Sequence, residues 1–587
     1  DRHLSSEASL LSKALTLRFS SEEQVFENMR SLGLGHLFSV SGLHVGLLAL
    51  FFSFFLSFLL PTVKMRQLMS VFLLWMYALM VGFTPSITRA VLLYTLYVIK
   101  KLYIPYWSEM DILSGVAGIA ILWNPYVVFN VGFQLSYLAV FGMIYFLPKW
   151  KGRRVFFGIL GDGIVVLLSV QLMTLPFVIY YFNSYHGLNF LWNLLFVPLF
   201  TIYVMLSFTY LLLQSIPYVG FFISSILNLL AHGILWTTTH LQWKEMLWVL
   251  PSPSISWFLL YFTIIFVGGY KIPYQYVRYH QLRKMFYLLI LCVLPGFFSL
   301  SPIRSVEFLS VGQGDAALIS IGSKHYLIDT GGEGRRPGHI GKFVLEPYLV
   351  KSGRRKLDGV FITHFDYDHY GALIEMSDRI KMQHIISDHE PPDHVKKVLQ
   401  ENNLHFTIVP NDSVFKLGKG YFLRAIPYEK SRLDENGRSL VLQLVKGEES
   451  LVLFTGDITE AEEKKLLRYP LHSMVLKCPH HGSKSSSSED FLIHVAPKDV
   501  AISVGYKNSF GHPHQEVLKR YRHHSIEIHR TDTQGLLQFD LRRHTWSHYK
   551  EEQELPIYFK LYAIYTTIIV GFTVLRIRRE QWNICHF

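Results

Sequence analysis

The sequence predicts a polytopic α-helical membrane domain followed by a soluble α/β domain. Three observations carry that reading: long apolar runs crowd the chain up to about residue 301, residues 303 to 545 alternate apolar and polar positions between Gly-rich turns, and the acidic and histidine residues concentrate in this second half. Of 587 residues, half are hydrophobic and 17% charged, a mixture that a single globular domain does not produce. The formal charge of +12 is compatible with a polyanionic partner, although Lys and Arg in cytoplasmic loops account for such an excess equally well. Cys292, Cys478 and Cys585 are far apart and form no C-x-x-C pair, which argues against a disulfide framework or a structural zinc. The chain opens on Asp1 with no basic-then-apolar signal, so a processed chain or a fragment is expected.

A membrane-spanning helix needs about 20 apolar residues. Ten segments are candidates, near 42–60, 67–83, 86–104, 111–124, 131–148, 155–182, 188–216, 219–236, 255–269 and 285–301. Basic residues fall in every second connection: Lys64 and Arg66, Lys100 and Lys101, Lys149 to Arg154, and Lys271 to Lys284. The loops between, 125–130, 183–187 and 237–254, hold almost none. Positive residues stay inside, so the N-terminus and everything after residue 301 are expected outside the cell. A further run, "IYFKLYAIYTTIIVGFTVL" from residue 557, precedes Arg576, Arg578 and Arg579 and is either another span or a peripheral helix. The expected division is an extracytoplasmic segment at 1–35, the membrane domain at 36–301, the soluble domain at 302–546 and a tail at 547–587.

Polar groups inside the apolar runs are costly in lipid and face a partner or a watery path. Arg89, Gln134, Asp162, Gln171, Asn193 and His44 are of this kind, and "GHLFSVSGLHVG" at 35–46 sets small residues between His36 and His44. Each alone reads as readily as interhelical bonding or close packing; together they favour a polar passage, with His36, His44, Arg89 and Gln134 as its candidates.

In the soluble half one plan recurs. "KHYLIDTGG" ends an apolar run in Asp329, "GVFITHFDYDHYGAL" runs from strand through a ligand-rich loop into a helix, and "SLVLFTGD", "SMVLKCPHHGS" and "DVAISVGYKNSFGHP" repeat it at Asp457, His480 with His481, and His512. Every chemically able residue thus sits past the C-terminal end of a buried strand, where α/β sheets present side chains to a shared cleft. His364, Asp366 and Asp368 alternate, with His369 adjacent, so that alternate residues can aim at one point and the next pair at a second. Imidazole nitrogen with carboxylate oxygen suits zinc, manganese or iron, and a helix cap would need only one of these side chains. "PHHGSKSSSS" offers His480 or His481 as ligand or general acid, while Ser483, Lys484 and Asn508 are placed to meet a phosphate.

These motifs resemble the metallo-β-lactamase superfamily, which implies an αββα sandwich. By that resemblance Asp329 orients the site, "HFDYDH" matches the H-x-H-x-D-H motif with Asp366 replacing the second His, and Asp457 bridges two divalent ions, manganese or zinc. His364 and Asp366 would hold the first ion, and Asp368 and His369 the second. Here His480 is assigned to the metal, and Asp368, His481 and His512 to catalysis. The usual His before the bridging Asp is not evident; His384, His389, His394 and His405 lack its glycine-rich setting, which leaves the first ion a protein ligand short.

With "NPYVVFNVGFQLSYLAVFG", "QLMTLPFVIYYF" and "NLLFVPL" in the first half, the whole chain resembles the ComEC-type DNA-uptake proteins of transformable bacteria. That resemblance implies a multi-pass bacterial plasma-membrane protein passing a single DNA strand inward, with an extracytoplasmic nuclease acting on double-stranded DNA and degrading the other strand. It also implies a DNA receptor, a cytoplasmic ATP-driven motor and possible homodimerisation; the chain carries no G-x-x-x-x-G-K-[ST] loop of its own. The additional N-terminal membrane segments and the OB-fold module common in that family are not recognisable in residues 1–35. Two rival readings are a membrane-anchored hydrolase of a small ester or lactone, and a transporter with a non-catalytic binding domain.

Overall fold

The computed structural model describes residues 3–17, 29–30, 32–37, 42–150, 159–240, 246–269, 304–334, 338–376, 379–402, 404–431 and 434–549. The candidate span at 285–301, the apolar run from 557, Cys292, Cys585 and the basic residues at 151–154 and 271–284 lie outside them. The chain divides into two compact units, residues 1–293 and 294–587.

In the first unit the nine other apolar segments fall on helices: Gly42–Leu56, Val63–Val81, Pro85–Tyr103, Glu109–Trp123, Val131–Trp150, Ile159–Phe182, Asn189–Leu213, Pro217–His240 and Ile255–Gly269. Their starts are written locally. Thr62 accepts the Met65 N–H, Pro85 opens its helix where no N–H is needed, and Ser108 with Asp111 forms a reciprocal capping box. Among the described residues, three helices are long and apolar enough to cross a membrane: Gly161–Phe182, Asn189–Leu213 and Pro217–His240. Large apolar side chains left exposed on this unit, among them Phe54, Phe58, Phe222 and Leu229, suit hydrocarbon rather than water.

Two features differ from the expected outline. The N-terminal residues are not a segment apart: helix Ser6–Leu17 buries Ala8, Leu11 and Leu15 against Tyr203, Leu227 and Ile234, and the Tyr203 hydroxyl donates to the Ala8 carbonyl at 2.9 Å. Two of the three poorly charged loops also pair, strand β1 (Ser184–His186) running antiparallel to β2 (Leu247–Val249).

The second unit is an αββα sandwich. One sheet contains β3 (Arg304–Phe308), β4 (Ala317–Ile321), β5 (Lys324–Ile328), β7 (Gly359–Phe361), β9 (Ile385–Ser387) and β10 (Phe406–Ile408), with β18 (Leu536–Asp540) and β19 (Thr545–Tyr549) closing it beside β3. A two-stranded ladder, β6 (Lys356–Leu357) with β8 (Lys381–Met382), stands apart. The other sheet runs β11 (Val414–Gly418), β12 (Tyr421–Ala425), β13 (Leu442–Lys446), β14 (Glu449–Phe454), β15 (Val475–Lys477), β16 (Asp499–Ile502), β17 (Glu527–Arg530). Period-2 alternation sets the inner faces: Tyr421, Leu423 and Ala425 point inward from β12 and join Phe308, Ile319, Phe361 and Phe454 in the core between the sheets.

Each sheet is antiparallel in one half and parallel in the other. β5, β7, β9 and β10 pair in parallel, as do β14 through β17, with helices such as Tyr367–Glu375, Glu460–Leu466 and Glu489–Val495 making the crossovers. Parallel strands point their C-terminal ends the same way, and those ends carry the site.

Candidate metal centre

The helix Tyr367–Glu375 enters the site at close quarters. Asp315 donates its N–H to the Asp368 carbonyl at 3.1 Å and Thr330 donates to the His369 carbonyl at 2.7 Å. Glycine is required at both crossings: a Cβ on Gly314 would lie 2.5 Å from the Asp368 carbonyl oxygen, and one on Gly332 would lie 2.0 Å from that of Tyr367.

Asp329 organises what this approach brings in. One carboxylate oxygen accepts the Thr363 N–H at 2.7 Å; the other accepts the Thr363 hydroxyl at 2.7 Å and His369 Nδ1 at 2.8 Å. With its own proton given to Asp329, Thr363 Oγ1 accepts from His364 Nδ1 at 3.1 Å. His481 Nδ1 donates to the Ser503 carbonyl at 2.9 Å. All three imidazoles are therefore held through Nδ1 and offer Nε2.

Those Nε2 atoms are buried without a hydrogen-bond partner, as is Asp457 Oδ1. Asp457 Oδ2 lies 3.4 Å from His369 Nε2 and 3.3 Å from His481 Nε2, and Asp368 Oδ2 lies 3.4 Å from His481 Nε2. Asp315, His369, Asp457 and His481 form one buried group of donors. His364 Nε2 faces Asp366 at 3.6 Å, beside it, with the His364 and His369 rings 4.0 Å apart.

The electrostatics suit a cation. Burial opposes charge on His369, yet Asp457 and Asp329 hold its pKa well above the ordinary value; burial likewise opposes charge on His481, which Asp457 and Asp315 push up to about 10. Burial would raise both carboxyls, but His481 and His369 keep Asp457 well below the usual range and bring Asp368 down to about 2. A field that stabilises two imidazolium protons is one that a divalent ion can replace. Unpartnered imidazole nitrogens and carboxylate oxygens converging on one point fit such an ion, with Mn²⁺ and Zn²⁺ both served by this donor set.

Three contributors carry no signal in the sequence pattern. Asp315 lies on the Nδ1 side of the imidazoles, 3.7 Å from His481 Nδ1, and its carboxylate pairs with the buried Lys477 ammonium, which also sits 3.6 Å from Asp457 Oδ1. Lys477 ends strand β15, within an otherwise apolar run. Ser439 donates to the Asn436 carbonyl, accepts the Asp457 N–H at 3.1 Å and sits 3.4 Å from His364 Nδ1, in the stretch between the second motif and Asp457. None of His384, His389, His394 and His405 joins the donor group; His389 bonds Asp388 and Glu435 instead.

Other assignments change. His480 was the expected ligand and His481 the expected catalyst; the geometry puts His481 in the donor group and leaves His480 half-buried outside it, rings 6.4 Å apart. Both residues have left-handed φ, 47° and 52°, as does Asp329 at 54°; strain of about 1–3 kcal/mol at each is held by the bonds described. His512 stands beyond, 5.8 Å from His480 and 6.4 Å from His481, its pKa brought down to about 4 by burial and by the neighbouring histidines. Burial lowers His480 too, only partly countered by Asp457. Asn508 is not available to substrate: its amide donates to the Gly505 and His512 carbonyls and accepts from the Phe510 and His512 N–H groups. Lys484 is exposed and paired with Glu516 at 3.3 Å, and Ser483 contacts Ser485 at 3.1 Å.

In the membrane unit Arg89 donates to the Gly132 carbonyl and Gln134 bonds both the Val128 carbonyl and the Tyr181 hydroxyl, all between or within helices; His44 is buried and His36 exposed. Asn193 donates to the Asn189 carbonyl at 2.9 Å.

Residues 15–273 match the family model for competence proteins, and residues 309–506 match the metallo-beta-lactamase superfamily. The chain is 29% identical over 561 residues to ComE operon protein 3 of Bacillus subtilis, covering 90% of this chain and 70% of that one. It is also 29% identical to competence protein ComA of Neisseria gonorrhoeae, covering 88% and 72%. Igni18, a metallo hydrolase from Ignicoccus hospitalis, is similar at 19% identity over 41% of this chain and all of that one, with a TM-score of 0.30. The helical first unit of this chain, its metal-fitting αββα second unit and the two family matches in this order make it a ComEC-type competence protein.

Proposed function

We propose that the chain serves DNA uptake in natural transformation: its membrane unit admits one DNA strand, and its second unit, outside the cytoplasm, cleaves phosphodiester bonds of the strand that does not enter. What supports the hydrolytic half is a single feature, the convergence of two unpartnered imidazole nitrogens, those of His369 and His481, on the Asp457 carboxylate, with a third, that of His364, facing Asp366 beside them. In this reading Asp368, His369, His481 and Asp457 hold one divalent ion, and His364 with Asp366 and Asp457 a second. Bound there, the ions would supply an activated hydroxide and neutralise the phosphate. Asp329 and Thr363 fix the imidazoles; the Lys477 ammonium, beside Asp315 and Asp457, limits the negative charge of the cluster. His480 and His512, kept neutral by their surroundings, each have an Nδ1 without a hydrogen-bond partner and stand where a phosphate oxygen or departing oxygen would be met. The outward placement follows from the basic residues in alternate loops.

The test uses the whole chain in detergent with Mn²⁺ or Zn²⁺ and linear DNA. Cleavage that disappears in Asp366→Ala and Asp457→Ala supports the reading; intact DNA with rapid turnover of a small ester or lactone overturns it in favour of an anchored esterase. Labelling of a cysteine placed at Lys416 by a membrane-impermeant maleimide in intact cells tests the orientation, and its protection there would reverse the proposed topology.

A further inference from the structure

Beside the metal centre the loop from Gly505 to His514 exposes two aromatic rings, Tyr506 at 72% and Phe510 at 64%. An isolated exposed aromatic needs no explanation. These two belong to a loop that is braced rather than slack. All four hydrogen-bonding positions of the Asn508 amide are spent inside the loop, the Gly505 N–H is held by Gln313 Oε1 at 3.2 Å, and the His514 N–H is held by the Gly482 carbonyl at 3.0 Å. A rigid loop loses little entropy when something lies on it.

The rings are also in line with the chemistry. Phe510 lies nearly parallel to His512, at 5.8 Å and 26°, and His512 lies nearly parallel to His481, at 6.4 Å and 22°. Phe510 is thus two ring contacts from a proposed metal ligand. Lys507 sits between the aromatics with its ammonium 5.3 Å from the Tyr506 ring, leaving a cation at the loop tip. Exposed flat rings interleaved with a cation along the approach to a phosphodiester-sized site are what unpaired nucleotides bind, each base laying its face on a ring while the backbone meets the charge. Bases within a duplex have both faces covered already and gain nothing from such a surface.

From this arrangement we propose that Tyr506 and Phe510 form a stacking platform for unpaired nucleobases flanking the scissile phosphate, so that the strand degraded is already separated from its complement when it reaches the cluster. The inference rests on the reading of the cluster as a phosphodiesterase.

The experiment compares the full chain in detergent with its Tyr506→Ala, Phe510→Ala and Phe510→Trp variants on a single-stranded oligonucleotide, the same strand as a duplex, and an oligonucleotide of abasic residues. Cleavage is read with Mn²⁺, and binding is read by fluorescence anisotropy with Ca²⁺. The alanine variants are expected to lose roughly five- to a hundredfold in kcat/KM and in affinity on the base-bearing single strand. Their action on the abasic strand is unchanged, Phe510→Trp restores the loss, and the unaltered chain prefers the single strand to the duplex. Equal losses on base-bearing and abasic strands, or none on either, overturn the platform. So does a Phe510→Ala variant whose only defect is weaker association with anionic vesicles, which would make the rings a lipid contact. If the chain cleaves none of the substrates but the alanine variants still bind the base-bearing strand selectively worse, the phosphodiesterase reading fails while the base-stacking role of the two rings stands.

Discussion

Asp329 accepts the Nδ1–H of His369 at 2.8 Å, and this bond decides which nitrogen of His369 faces Asp457. The same carboxylate fixes Thr363, and through the Thr363 hydroxyl the tautomer of His364. Outer partners of this kind typically account for 10- to 100-fold in metal affinity. Asp329→Asn, which can satisfy only part of this network, is therefore expected to weaken Mn²⁺ binding by about that factor while the circular dichroism spectrum is retained. Calorimetric titration of the detergent-solubilised chain measures it, and unchanged affinity would detach Asp329 from the centre.

The adjacent histidines separate binding from turnover. His481→Ala removes a donor whose Nε2 is 3.3 Å from Asp457 and should lower metal affinity by more than about 100-fold, beyond the loss of an outer partner. His480→Ala leaves the donor group whole, so metal content should hold while kcat falls about 100-fold, the scale of one lost transition-state hydrogen bond. Elemental analysis beside a cleavage assay distinguishes the two, and metal loss in His480→Ala would restore the assignment the sequence had suggested.

Why the sequence leads to His480 rather than His481 is a matter of backbone geometry. Strand-end placement is visible in a one-dimensional pattern: Asp329, His364, Asp457 and the His480 pair each follow an apolar run, and each does follow a strand. Which of two neighbours points inward depends on consecutive left-handed residues, which no periodicity announces. Asp315 is hidden for another reason. It precedes its strand, and it reaches the centre only because Gly314 lets the turn close against the Asp368 carbonyl. In the first unit the apolar runs coincide with the helices, whereas no such run announces helix Ser6–Leu17, because Glu7, Ser9, Ser12 and Lys13 fall between its buried Ala8, Leu11, Ala14 and Leu15. The pairing of β1 with β2 joins segments about 60 residues apart, beyond any local pattern.

Away from the centre, Arg354 holds the buried Glu307 carboxylate in a two-pronged contact, with Tyr348 donating to it at 2.6 Å and Ser305 at 2.9 Å. Arg354→Ala leaves that carboxylate in the sheet without its counter-ion, a change worth about 3–5 kcal/mol. The unfolding transition of the second unit should fall accordingly, and the paired Glu307→Leu, Arg354→Met variant should recover part of the loss. Thermal unfolding of the solubilised chain is the check; a shift in Arg354→Ala no larger than that of a surface substitution would show the pair to be dispensable.

A second buried carboxylate ties stability to pH. Asp388, at the end of β9, is contacted by the Lys430 ammonium and by His389 at 2.9 Å. Burial alone would raise its pKa, but His389 and Lys430 more than offset this and hold it below the ordinary carboxylate value. A carboxyl depressed by folding contributes stability above its unfolded pKa, about 3.9, and that contribution is lost as pH falls through the folded value. Asp388→Asn removes the contribution and leaves Lys430 buried without its partner, so at pH 7 the unit should lose about 3 kcal/mol. Below about pH 4 the difference between the variant and the unaltered chain should begin to shrink, by up to about 1.4 kcal/mol per pH unit, because protonation removes the same charge. Unfolding followed from pH 7 to pH 3 gives both limbs, and a constant difference across that range would mean that Asp388 contributes through packing rather than through its charge.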